Sequence, residues 1–275
     1  MPRIWHSLKI RIVSVLFGSS ILVLCVFSPC FVVADTNDLT AAYLGQINAL
    51  PLFQNYGLRP VYKNFPIERM GDITYSPAGP DDQLLLHRYM ALFAEEIQKY
   101  PKSFFDNRGL KNVYFVKKLF YKDRPADGVY YPRYDAILFD FSRSKNNHEK
   151  QRHNVHHELY HMISVGHYIL NDKTWESLNT EGFRYGNAPK WSAGSNPVNR
   201  FAPAHLGFVS NYAMTSIEED KAEVFACLMI KTQHQLIHRW MKNDEVLKKK
   251  VLYMKEFLKY YSADMDEEYW EKLFR

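Results

Sequence analysis

The stretch NVHHELYHMI, residues 154–163, combines three histidines and a glutamate at a spacing that predicts a helix. His157 and His161 are four residues apart, so their imidazoles would project from the same face of that helix. Glu158 follows the first of them and completes the pattern H-E-x-x-H. This pattern is typical of helices whose histidines bind Zn²⁺ while the glutamate takes a proton from water at the metal. A histidine-rich surface helix is the alternative, because His153 would share the same face.

A catalytic zinc ion usually has three protein ligands, so the motif requires a third residue from elsewhere in the chain. His167 stands six residues after His161, but the metalloprotease pattern with that spacing needs glycine at position 164, which is serine here. A glutamate from a later helix is the other source. Residues 207–226 place four carboxylates at a predicted helix start, where acidic residues are also favoured by the helix dipole alone.

Two of these carboxylates share one face of the predicted helix. Glu219 and Glu223 are one turn apart, whereas Glu218 has Ala222 in the equivalent position. Ligating imidazoles are commonly oriented by a second carboxylate behind the ligand shell. We therefore predict Glu219 as the third zinc ligand and Glu223 as the carboxylate that orients a ligand, with Glu218 as the alternative ligand.

Hydrophobic periodicity around the motif predicts an α+β fold, with a small mixed sheet before the motif helix and a helical C-terminal half. Strands are expected at 113–116, 119–121 and 135–141. Helices are expected at about 40–50, from Asp81 or Asp82 to Tyr100, from Asn146 or Asn147 to about Gly166, and from Ser216 onward. Residues 171–209 are expected to be a loop-rich segment, and an irregular N-terminal wrap is expected over 35–80.

Residues 1–34 have the composition of a secretory signal peptide. Three basic residues precede an apolar run at 12–27, and Val32 and Ala34 stand where a signal peptidase accepts small residues. Cleavage is therefore predicted after Ala34. The alternative is an uncleaved membrane anchor over Ile12–Ala34, which is long enough to span a bilayer.

Cleavage would change the charge and the cysteine content of the 275-residue chain. It removes three basic residues and no acidic one, so the formal net charge falls from +5 to +2. Such a chain has no electrostatic basis for binding nucleic acid. It also leaves Cys227 as the single cysteine, which excludes an internal disulfide and predicts a buried apolar side chain there.

The motif and its surroundings resemble a known group of enzymes. HELYH at 157–161, followed by Tyr212, Glu219 seven positions later and Glu223 one turn on, resembles the catalytic domain of anthrax lethal factor and related secreted endopeptidases. The wider setting, with WESLN at 175–179, GFVSNYA at 207–213 and Glu219–Asp220, more specifically resembles a family of zinc metallopeptidases found among secreted bacterial proteins. The similarity covers about residues 110–230.

This resemblance implies a zincin-like metallopeptidase domain over 81–275 with a C-terminal helical extension. It implies one Zn²⁺ per chain on His157, His161 and Glu219, with Glu158 as the catalytic base. Tyr212 would face the metal and stabilise the tetrahedral intermediate. The strand at 135–141 would be the edge strand that pairs with an extended substrate. Lys221 is a departure from what the resemblance leads us to expect.

We therefore expect a secreted or periplasmic zinc-dependent endopeptidase that acts on a peptide or protein substrate. A membrane would be a partner only if Ile12–Ala34 stays uncleaved. A non-catalytic zinc-binding module with a metallopeptidase fold is the alternative, and Glu158 argues against it, because a binding module needs no base beside its metal. A helical interaction protein with incidental histidines is a further alternative, which predicts no metal.

Overall fold

The N-terminal residues form a compact unit of their own. A computed structural model of the chain describes residues 14–17, 20–23, 51–62, 65, 69–106, 110–165, 171–186 and 206–275. The chain divides into the units Met1–Thr40 and Ala41–Arg275. In the first unit, strands β1 (Ser14–Phe17) and β2 (Ser20–Val23) pair antiparallel. Both lie in the apolar run of the predicted signal peptide, and cleavage of that segment stays a prediction.

The second unit combines short strands with longer helices. Its described strands are β3 (Arg59–Val61), β4 (Arg69–Met70), β5 (Ile73–Ser76), β6 (Asn112–Tyr121), β7 (Arg124–Pro125), β8 (Gly128–Tyr131) and β9 (Ala136–Asp140). Its described helices are α1 (51–55), α2 (Gln83–Ile97), α3 (Ser103–Asp106), α4 (His148–Ser164), α5 (Asp172–Ser177), α6 (Ile217–Met229), α7 (Lys231–Trp240), α8 (Glu245–Tyr261) and α9 (Glu267–Lys272). Short 3₁₀ turns occur at Pro80–Asp82, Pro132–Tyr134 and Tyr212–Met214.

These elements confirm the predicted α+β class, with a small mixed sheet before α4 and a helical C-terminal half. Asn147 caps α4 through a hydrogen bond from the Lys150 N–H, as predicted. Cys227 is buried as predicted, and so is the apolar face of α8, formed by Leu247, Val251, Met254, Phe257, Leu258 and Tyr261. The helix expected at 40–50 lies outside the described residues. Among the helices that the structure describes, none has the length and apolarity needed to cross a membrane.

Strand β6 lies at the centre of the sheet, whose strands run in the order β4-β5-β6-β9-β8, and β3 and β7 also pair with β6. Its first half pairs in parallel with β3 and β9, and its second half pairs antiparallel with β5 and β7. Lys118, with φ at +51°, lies where the strand passes from one half to the other. The single long strand replaces the two short strands predicted at 113–116 and 119–121.

The prediction that the strand at 135–141 lies at the edge of the sheet is wrong. Strand β9 lies between β6 and β8, and β8 is the last strand on that side in the described part of the chain. The cause is the tight turn at Pro132–Tyr134, which ends at Asp135 with a left-handed φ of +44°. It folds β8 back along β9, so that Val129 lies opposite Leu138.

Both faces of β9 are buried, which explains why this strand is so apolar. Ile137 and Phe139 pack into the main core with the helices, whereas Ala136 and Leu138 belong to a second core. That second core is completed by residues from β3, β4 and β5. The segment expected to be an irregular wrap therefore contributes three short strands to the sheet.

Candidate metal centre and catalytic cleft

The packing of α4 against α6 brings the motif histidines to a glutamate from the later helix. Nε2 of His157 lies 2.9 Å from Oε2 of Glu219 and 3.1 Å from Nε2 of His161. Nε2 of His161 lies 3.7 Å from the same glutamate oxygen. The three predicted ligand residues thus point one nitrogen or oxygen atom each at a common point.

The spacing of these three atoms fits a zinc ion. Ligands of a tetrahedral zinc with bonds of about 2.0–2.1 Å lie roughly 3.3 Å apart, within the range of the three distances. Oε2 of Glu219 is buried, yet it has no hydrogen-bond partner among the described residues. A buried carboxylate oxygen without a hydrogen bond is costly unless a cation balances it. The donor set therefore fits a metal with imidazole and carboxylate ligands.

The electrostatics of His157 point the same way. Burial alone would lower the pKa of His157, but the negative charges of Glu219 and Glu223 outweigh it and raise the pKa to about 10. The two histidines in turn hold the pKa of the Glu219 carboxyl below its usual value, although burial opposes them. The site therefore favours a positive charge between Glu219 and the imidazoles.

A second group of possible metal ligands contains His153, His157 and Glu223. Oε1 of Glu223 lies 2.8 Å from Nε2 of His153 and 3.2 Å from Nδ1 of His157. Oε2 of Glu223 accepts a hydrogen bond from the Ser210 hydroxyl at 2.6 Å. Nδ1 of His153 in turn lies 2.8 Å from Oε1 of Gln233. Since hydrogen bonds engage both carboxylate oxygens, this group serves better as the support of His157 than as a second metal site.

Glu158 belongs to the motif helix, and its side chain contacts the edge strand β8. Its Oε2 accepts a hydrogen bond from the Tyr130 N–H at 2.9 Å. Gly128 permits this close approach, because a Cβ there would lie 2.6 Å from Cγ of Glu158 and 2.7 Å from Nδ2 of Asn154. Burial raises the pKa of the Glu158 carboxyl, although the charges of His157 and His161 oppose the shift.

Tyr212 lies on the 3₁₀ turn before α6 and faces the motif helix. The centroid of its ring is 5.9 Å from that of His157. The residue is 40% exposed, which leaves its side chain accessible to solvent. Partial burial, followed by the negative charges of Glu219 and Glu158, raises the pKa of the Tyr212 phenol, so the phenol stays a hydrogen-bond donor at neutral pH.

The structure also distinguishes among the other carboxylates of α6. Glu218 is exposed and is absent from both groups that offer ligand atoms, so the choice of Glu219 agrees with the geometry. Asp220 is buried, and its Oδ2 accepts hydrogen bonds from Trp175, Tyr185 and Lys250 at 2.7 Å each. Lys221, unexpected in the sequence, is buried and pairs with Asp172 of α5. His167 lies outside the described residues.

Sequence reasoning missed several residues that support the site. His153 was recognised on the same helix face as His157, but only as a sign of a histidine-rich surface helix and not as a support of the site. Ser210, Gln233 and Tyr130 carry no such signal, because each reaches the site from a different element.

Part of the chain is similar to known proteins. Residues 129–265 match a family described as "Putative zinc-binding metallo-peptidase". The matched segment contains all six predicted site residues. A crystal structure described as a putative zinc-binding metallo-peptidase, from Bacteroides caccae ATCC 43185, has 14% sequence identity and a TM-score of 0.49, over 88% of this chain and 92% of that chain. No curated protein matches the sequence. The likeness to anthrax lethal factor stays a prediction.

Proposed function

We propose that the protein is a zinc-dependent endopeptidase that hydrolyses peptide bonds through an activated water molecule. The observation that carries the proposal is the convergence of His157, His161 and Glu219 on one point, beside Glu158. Support also comes from the family match over residues 129–265. We assign Nε2 of both histidines and Oε2 of Glu219 as the ligands of one zinc ion per chain.

Zinc, when bound there, supplies a Lewis acid that polarises a carbonyl group and lowers the pKa of a water molecule to about 7. The remaining steps are assigned to the residues of this chain. Glu158 takes a proton from the attacking water and passes it to the leaving amine. Its Oε2 is fixed by the Tyr130 N–H, so we assign the proton transfer to Oε1.

Tyr212 is assigned as the donor that stabilises the developing oxyanion. Its ring lies beside His157 and its phenol is a weak acid in this site, so it can donate a hydrogen bond throughout the reaction. Glu223 is assigned to hold the ring of His157 through Nδ1 while Nε2 faces the metal position. This pairing fixes the tautomer that leaves Nε2 free to ligate.

The substrate is proposed to be an extended polypeptide that lies along β8. This strand pairs with β9 along one edge, and no described strand pairs with its other edge, which lies near Glu158 of the motif helix. The exposed edge of a sheet can bind a peptide as an added strand, which brings the peptide backbone past the zinc ligands. We therefore assign to β8 the pairing with an extended substrate that was predicted for β9.

We further propose that the protein acts outside the cytoplasm. The support is the signal-peptide composition of residues 1–34, with cleavage after Ala34. Retention of Ile12–Ala34 as an anchor would leave the same domain tethered to a membrane. Protein sequencing of the N-terminus of the exported chain distinguishes these cases, because cleavage predicts a chain that begins at Asp35.

The experiment that tests the function is peptide-library cleavage by the zinc-loaded protein and its Glu158→Gln variant. The wild type should cleave, whereas the variant should retain its zinc and lose at least about a hundredfold in kcat. Glu218→Gln is the matched control, because this exposed carboxylate lies outside the site. Full activity in Glu158→Gln would refute the assigned base. A zinc-loaded wild type that cleaves no peptide would favour the non-catalytic zinc-binding module.

A further inference from the structure

Ser210 connects two parts of the candidate site, the carboxylate of Glu223 and the turn that carries Tyr212. Its side chain is completely buried just before the 3₁₀ turn Tyr212–Met214. The hydroxyl donates to Oε2 of Glu223 at 2.6 Å and accepts from the Ala213 N–H at 3.1 Å. One hydroxyl group therefore connects the carboxylate behind His157 to the turn that carries Tyr212.

The two hydrogen bonds fix which partner the hydroxyl donates to and which it accepts from. A serine hydroxyl has one proton to give, and Glu223 receives it, so the lone pairs face the Ala213 N–H. A bond from a hydroxyl to an ionised carboxylate is stronger than a neutral one. The position of the 3₁₀ turn is thus tied to Glu223, whose other oxygen is shared by His153 and His157.

Other contacts of the turn run to elements other than α4: Ala213 and Met214 are buried against Phe208, and the Gly186 N–H donates to the Met214 carbonyl at 3.1 Å. Thr215 donates to the Tyr212 carbonyl from both its N–H, at 3.0 Å, and its hydroxyl, at 2.7 Å. These bonds fix the shape of the turn but not its distance from α4. The aromatic ring of Tyr212 contacts His157 and is 40% exposed, so little apolar packing holds it in place.

We infer that Ser210 is a positioning residue that sets the Tyr212 phenol relative to the metal ligands by tying its turn to Glu223. This inference rests on the function proposed above for Tyr212. Without the hydroxyl, the turn can move relative to His157, and a misplacement of about 1 Å in a catalytic group lowers rates by one to two orders of magnitude. The ligands themselves keep all their own contacts.

The test is a double-mutant cycle with Ser210→Ala, Tyr212→Phe and the combined variant, measured at saturating zinc on a peptide that the wild type cleaves. Each single change should lower kcat on the order of tenfold or more and leave KM within about twofold. In the Tyr212→Phe background, Ser210→Ala should add less than about a twofold loss, because the hydroxyl acts through the phenol. Ser210→Thr, which keeps the hydroxyl, should recover most of the activity.

A second readout does not depend on catalysis. Hydrogen exchange at the Ala213 amide in the metal-free protein should accelerate in Ser210→Ala and stay near the wild-type rate in Ser210→Thr. Ser262→Ala is the matched control for loss of a buried hydroxyl, since Ser262 is buried and hydrogen-bonded to Ser103. It should leave both kcat and the Ala213 exchange rate unchanged.

Equal loss of kcat from Ser210→Ala in both backgrounds, or no loss in either, would overturn the inference. Unchanged exchange at Ala213 would overturn the structural link itself. If the wild type cleaves no peptide, the proposed function fails, whereas the exchange measurement still decides whether Ser210 fixes the turn. The two failures are therefore distinguishable.

Discussion

Nδ1 of His157 lies 3.2 Å from Oε1 of Glu223, while Nε2 of the same ring lies 2.9 Å from Oε2 of Glu219. The two glutamates occupy successive turns of α6, so one helix face both approaches the candidate metal position and supports the histidine from behind. This relationship makes the affinity of the site for zinc dependent on a residue outside its ligand set.

Glu223→Gln should weaken zinc binding without removing a ligand. The amide cannot provide the negative charge that holds His157 and His153, and loss of such support typically costs 10- to 100-fold in metal affinity, on the order of 1.4–2.7 kcal/mol. Competition with a chromophoric zinc chelator measures the dissociation constant. Glu218→Gln, on the same helix but exposed, should bind zinc like the wild type. An unchanged dissociation constant in Glu223→Gln would mean that the carboxylate does not support the site.

Gly128→Ala should reduce turnover while leaving zinc in place. The added methyl would lie 2.6 Å from Cγ of Glu158 and 2.7 Å from Nδ2 of Asn154, so either β8 or the glutamate must move. We expect kcat to fall on the order of tenfold or more, because the base loses its position. Steady-state kinetics with a zinc assay checks this. Gly79→Ala is the control, since its added methyl meets nothing closer than the Asp82 carboxylate at 3.3 Å and the Lys117 amine at 3.9 Å. Equal kcat values in both variants would contradict the tight contact of β8 with Glu158.

Lys250→Met should destabilise the fold. Lys250 is completely buried, where its amine donates to Oδ2 of Asp220 at 2.7 Å and to the Gly207 carbonyl at 2.9 Å. Removal of one partner of a buried ion pair leaves an uncompensated charge and typically costs about 3–5 kcal/mol. Urea unfolding of the metal-free protein measures the change. Lys249→Met, at the adjacent exposed position, should change stability by less than about 0.5 kcal/mol. A cost below about 1 kcal/mol for Lys250→Met would show that Asp220 is satisfied by Trp175 and Tyr185 alone.

Local signals explain what could be predicted from the sequence. The motif helix and its Asn147 cap depend on residues within a few positions of one another, and the structure confirms both. The placement of Glu219 ahead of Glu218 followed from helical periodicity, because Glu219 and Glu223 recur one turn apart on the face that meets α4. Such patterns can be recognised in the sequence without knowledge of the tertiary structure.

The rest depended on contacts between distant segments. Strand β9 was expected at the edge from the resemblance alone, and β8, which covers it on that side, is only four residues long and gives little periodic signal. Ser210 and Gln233 reach Glu223 and His153 from other elements, and nothing in their local sequence indicates it. Lys221 was unexpected in the sequence, because its partner Asp172 lies on a different helix, α5.

The most direct test of the central claim is the zinc content of the chain from Asp35 onward, compared with that of Glu219→Gln, by elemental analysis after zinc loading and dialysis. We predict one zinc ion per wild-type chain and a sharp loss in the variant, because Oε2 of Glu219 completes the three-ligand set. A metal-free wild type would contradict the site itself. Equal zinc in both proteins would instead show that another residue, rather than Glu219, is the third ligand.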